Sequence, residues 1–91
     1  MFSKLKQFND LRHQAHDLQR LLGAERVTVE RQGVTVVVDG NQQVISLSIP
    51  PELGPATLEQ MLPGMFNDAT AKVQQLIAQK MQRGEISLPQ F

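Results

Sequence analysis

Residues 27–49 read VTVERQGVTVVVDGNQQVISLSI, three short apolar runs separated by turn residues. Val27 and Val29 alternate with Arg26, Thr28 and Glu30, the pattern of a strand buried on one face. Gly33 marks a turn. Val34, Val36 and Val38 then alternate again, with Val37 the one large apolar residue facing the other way. Asp39-Gly40-Asn41 is a hairpin signal, and Ile45, Leu47 and Ile49 alternate with Val44, Ser46 and Ser48 on the return. Pro50-Pro51 ends the run, because proline cannot donate to a ladder. These residues predict a three-stranded antiparallel meander with one aliphatic face and one mostly Ser/Thr face.

Working outward, both flanks repeat at helical spacing. Phe8, Leu11, Ala15, Leu18 and Leu22 form one stripe, and Leu62, Phe66, Ala69, Val73 and Leu76 form another. The first helix is expected to start at Ser3 as N-cap and to stop at Gly23. Thr57 and Gln60 resemble a capping box for the second, and Gly84 closes it. Pro63-Gly64 is expected to interrupt that helix, either as a break or as a kink, because a proline removes a backbone donor. The fold class is α+β: an N-terminal helix, a three-stranded antiparallel meander and a long C-terminal helix interrupted near Pro63. A helix of about 20 residues spans roughly 30 Å, longer than short strands can cover. The excess seam calls for a second copy, so the chain is expected to be a homodimer.

Ninety-one residues make a single domain, 1–91, near the lower limit for a self-sufficient core. There is no cysteine, so neither disulfides nor thiolate zinc sites supplement that core, which again favours oligomerisation. The tail 85–91 is expected to be loose. No apolar run approaches the roughly 18 residues of a membrane span, and the Lys4 and Lys6 region is unlike a signal peptide, so a cytoplasmic location is expected.

Nine basic and nine acidic residues cancel. Lys4, Lys6, Arg12, Arg20, Arg26 and Arg31 stand against Asp10, Asp17, Glu25 and Glu30 in the first third. Only the acids Asp39, Glu52 and Glu59 lie in the middle, and Lys72, Lys80 and Arg83 stand against Asp68 and Glu85 in the last, so the basic excess at each end is small. Lys6, His13 and Arg20 recur every seven residues and could follow a phosphate backbone. Spacing alone favours a plainer reading, in which Asp10 and Asp17 pair with them on a solvated face. His13, His16 and Asp17 lack a third close ligand and read as surface residues. No nucleophile elbow or phosphate-cradling glycine loop is present, so no enzyme, cofactor or small-molecule substrate is expected. Gln74, Gln75, Gln79 and Gln82 give the last helix an uncharged polar side.

Phe66-Asn67-Asp68-Ala69, followed by Ala71-Lys72 and Lys80-Met81, resembles the signature of the YbaB/EbfC nucleoid-associated family of bacteria. Val38-Asp39-Gly40, Ile49-Pro50-Pro51-Glu52-Leu53 and the Leu88-Pro89-Gln90-Phe91 end are similar to other parts of that family. The chain departs from it in its neutrality, in lacking a Gly- and Met-rich N-terminal lead, and at Pro63-Gly64. The resemblance implies a tweezer-like homodimer with helical arms that binds double-stranded DNA at the nucleoid with little sequence preference. Lys4, Lys6, Arg12, Arg20, Lys72, Lys80 and Arg83 are the candidate phosphate contacts. The alternative is a neutral dimeric interaction or chaperone-like module without DNA binding.

Overall fold

A computed structural model describes residues 2–86, with every side chain except those of residues 2–5, 7 and 8. The tail expected to be loose lies outside the described residues from position 87 onward, as does the side chain of Lys4. The elements are α1 (Phe2–Gly23), β1 (Val27–Arg31), β2 (Val34–Val38), β3 (Val44–Ser48) and α2 (Pro55–Gln82). The strands form an antiparallel sheet in the order β1-β2-β3.

The β1–β2 connection is a two-residue turn with Gln32 and Gly33 both at positive φ, 51° and 83°. This mirror-image turn suits the right-handed twist of paired strands. Between β2 and β3 the ladder is regular from Thr35↔Ser48 to Val37↔Ser46, then slips so that Val44 faces Val38. Val44 therefore does not lie with the serines as strict alternation implied. An extra residue in a bulge moves everything beyond it to the opposite face.

Helix α2 lies across β1 and β2 but not β3. Val29, Val34, Val36 and Val38 meet Met61, Met65, Ala69 and Val73, and this cluster is the core. On α2 the buried line runs in steps of four through the two methionines, while Leu62, Phe66 and Leu76 flank it half-buried. The stripe expected from coiled-coil spacing thus holds at Ala69 and Val73 and is displaced by one residue at its start, where Met61 and Met65 are buried in place of Leu62 and Phe66. A helix resting on a sheet buries a broader face than one seated in a helix–helix seam.

Pro63 does not break α2, which runs through it as one 28-residue helix, so of the two expected outcomes the break is excluded. Proline frees the carbonyl four residues back, here that of Glu59. Pro63 and Glu59 are both exposed, so water can take the missing donor's place. The start of α2 also differs from expectation. The helix begins at Pro55 behind Gly54, with no side-chain cap, so Thr57 is already inside it. Proline preset at the first position opens a helix without needing its own N–H. Ser3 likewise lies within α1 rather than capping it. At the other end of α2, Gly84 at φ 74° donates to Met81 O (3.1 Å) and Glu85 N to Lys80 O (2.9 Å). This glycine-closed termination matches the sequence reading.

Helix α1 packs lengthwise on none of the other elements among the described residues. Among the described side chains of its stripe Leu22 is buried, Leu11 and Leu18 are half-buried and Ala15 is exposed. The molecule is accordingly elongated, 62 × 24 × 18 Å.

Candidate nucleic-acid interface

Helix α1 meets the rest of the molecule at its last turn, through the β2–β3 turn. Asp39 is buried there, and its Oδ1 accepts from the backbone N–H of Asn41 (2.8 Å) and of Gln43 (2.9 Å). The turn so organised presents two donors to α1. Gly40 N–H donates to Leu22 O at 2.8 Å, and Asn41 Nδ2 donates to Gln19 O at 2.9 Å. Arg26 Nη1 donates to Gly23 O at 2.8 Å. The final carbonyls of a helix lack helical partners, and these contacts supply some of them.

A second tie runs from just beyond α1 to the far end of α2. Lys80 Nζ lies 2.7 Å from Glu25 Oε1 and 3.5 Å from Glu85 Oε2. Its ammonium is held above the ordinary lysine pKa, chiefly by the Glu25 hydrogen bond, with partial burial opposing and both carboxylate charges adding. At the opposite end Arg31 of β1 pairs with Asp68 of α2, and its guanidinium lies beside Gly64. A methyl group on Gly64 would approach Arg31 Nη1 to 3.2 Å, so the glycine leaves room for the arginine.

These contacts place the candidate phosphate-binding residues. Lys6 and Arg12 lie exposed along α1, and Arg20 lies exposed near its C-terminal end, 3.6 Å from Asp17. That ion pair is one the plainer sequence reading anticipated. Lys72 and Arg83 are exposed on α2 and just past its end, with no ion-pair partner among the described residues. Lys80 is the member most engaged within the fold, since its charge already serves two carboxylates. The structure brings Arg20, Lys80 and Arg83 to the end where α1 and the end of α2 meet, and leaves Lys6 farther along the arm.

Arg26 and Arg31, the two basic residues outside the candidate set, both hold the fold: one binds α1 carbonyl oxygen, the other Asp68. Asp10 and Asp17 lie exposed on α1 and Glu85 just past α2, among the candidate cations, and three further exposed acids lie toward the opposite end. Glu30 precedes the β1–β2 turn, which packs against Pro50, and Glu52 and Glu59 lie close by in sequence around the start of α2. A chain with zero net charge therefore carries a modest basic excess at one end and a modest acidic excess at the other.

Sequence reasoning missed Gly40 and Asn41 as the seat of α1. The Asp-Gly-Asn triplet signalled a turn, but nothing local to it indicated what would rest against the turn. Among the described residues no three His, Cys, Asp or Glu are grouped to hold a metal, and no helix is long and apolar enough to cross a membrane.

The family model of the YbaB/EbfC DNA-binding family matches residues 1–85. The chain belongs to that family. No curated protein matches it significantly. YbaB/EbfC proteins form a nucleoid-associated, DNA-binding family rather than an enzyme family. The signature stretch Phe66-Asn67-Asp68-Ala69 has a structural part in this YbaB/EbfC chain. Ala69 is in the core, Phe66 flanks it and Asp68 binds Arg31.

Proposed function

We propose that this YbaB/EbfC chain binds double-stranded DNA as a homodimer with little sequence preference, acting at the nucleoid in the cytoplasm. The observation that carries the reading is a partial separation of charge: most cations lie along α1 and at the end of α2, with Asp10, Asp17, Glu25 and Glu85 among them, whereas Glu30, Glu52 and Glu59 lie toward the other end of the sheet. Lys4, Lys6, Arg12, Arg20, Lys72, Lys80 and Arg83 supply the phosphate contacts, with Lys80 the smallest contributor because Glu25 and Glu85 share its charge. Phosphate contacts position a protein on DNA and carry no base information.

The homodimer is supported by unused apolar surface. Val44, Ile45, Leu47 and Ile49 are between 40% and 52% exposed on and just after β3, and Leu21 is 51% exposed on α1. A second copy covering this face would enlarge a core that is small for one chain. The same exposed face and the neutral total also favour the interaction-module alternative.

Gel-shift titration of the full chain on duplex DNA at two salt concentrations separates these readings. Affinity is expected to fall with salt at a shallow slope, set by the few phosphates contacted. Arg20→Glu and Lys72→Glu should weaken binding on every sequence alike, whereas Gln75→Ala should change little. Absence of binding at low salt would exclude the DNA reading and leave the interaction module.

A further inference from the structure

We propose that the Asp39-Gly40-Asn41 turn is a socket that aims α1, with Gly40 and Asn41 as positioning residues for the arm. The proposal rests on the reading of α1 as a DNA-binding arm, yet its geometry stands apart from DNA. Gly40 N–H and Asn41 Nδ2 bind the carbonyls of Leu22 and Gln19, three residues apart and so on one side of the helix. Two such bonds fix both the tilt and the roll of α1. The turn itself is rigid: the buried Asp39 carboxylate bonds two of its N–H groups, and Asp39 N–H donates to Gln43 O at 3.0 Å.

The fit at Gly40 is close. A Cβ there would stand 2.7 Å from Leu22 O, 3.0 Å from Leu22 Cβ and 3.1 Å from Leu22 Cα. Two of these are backbone atoms that cannot swing aside, so any side chain at position 40 must push the helix off its seat. Gly40 is not at positive φ, so the close approach alone demands glycine. Asn41 adds a donor that aspartate of the same size would lack.

The lever is long. With a rise of 1.5 Å per residue, the 22-residue α1 extends about 33 Å, and a tilt of about 10° at the socket moves the far end by about 6 Å. That is comparable to the spacing of neighbouring phosphates along a DNA strand. Small changes at Gly40 or Asn41 thus become large changes in where Lys6 and Arg12 reach, without altering the charge on the arm.

The cysteine-free chain permits a direct test. His13→Cys on α1 and Gln75→Cys on α2, both at exposed positions, carry nitroxide labels, and electron–electron dipolar spectroscopy reads the distance between them in the full chain. An excess of unlabelled chain suppresses distances between copies. A single narrow distribution is expected in the parent, broadened or shifted by Asn41→Ala and by Asn41→Asp with the circular dichroism unfolding midpoint nearly unchanged. Gly40→Ala should displace it further. An unchanged distribution in both Asn41 variants, or one already broad in the parent, overturns the socket whatever the DNA result.

Duplex binding by Asn41→Ala then addresses the arm's role. Affinity should fall about three- to tenfold, the size of one net hydrogen bond, with the salt slope unchanged because no charge is lost. Movement of the arm with unchanged affinity upholds the socket and removes α1 from the DNA reading.

Discussion

Val36 and Leu47 face one another across the β2–β3 ladder and point to the same side of the sheet, yet Val36 is fully buried and Leu47 is 43% exposed. The difference is the reach of α2, which crosses the first two strands and leaves the third bare. One half of the sheet is finished within the chain, and the other half, together with α1, is left open. The closed half provides fold stability. The open half carries the surface available to partners, and the two can be perturbed separately.

The sharpest way to break the closed half is Met65→Ala. Met65 is fully buried between α2 and the strands, and truncation there should cost about 2–5 kcal/mol in urea unfolding at fixed chain concentration. The open half should respond differently. Leu47→Asp should leave the circular dichroism spectrum of the chain intact while weakening self-association. A fully buried leucine contributes about 1.5–3 kcal/mol, so its loss at an interface amounts to tenfold or more in association. Light scattering that returns an unchanged mass for this variant would show that the open face is not where copies meet.

The smallest effect concerns the junction between the halves. The Lys80 pKa is raised in the folded chain, so the Glu25–Lys80 strap contributes below the ordinary lysine value and is lost as pH rises through the shifted one. An alkaline titration should therefore remove a stabilising contribution that Lys80→Met lacks at neutral pH already, and the two proteins should converge in unfolding midpoint. Parallel pH profiles would mean that the strap contributes nothing.

The same comparison explains what could be read from the sequence. Strands β1 and β2 were legible because period-two valines directly report a buried face. Alternation also assigned Leu47 to the aliphatic face correctly, but it cannot say whether anything lies over that face. Whether α2 breaks at Pro63 or runs on through it was open in the sequence, because proline's cost depends on which side of the helix the freed carbonyl faces, a tertiary property. The capping box at Thr57 was displaced by a stronger local start, Pro55 behind Gly54. At the candidate interface, exposure of Lys6, Arg12, Arg20, Lys72 and Arg83 followed from their positions on the helices. The pairing of Lys80 with Glu25 did not, because the two are far apart in the chain and only the fold joins them.

Strand β3 has one further consequence, for solubility. Among the described residues its outer edge is unpaired, and it carries Val44, Ile45, Leu47 and Ile49, a short β-prone segment without a charged residue between them. Such an edge is a template for indiscriminate strand addition whenever the chain is dilute or newly made. The slip in register opposite Val38 distorts one end of that edge, and Pro50-Pro51 closes the other just past Ile49. Between them they shorten the flat stretch on which a wrong neighbour could grow.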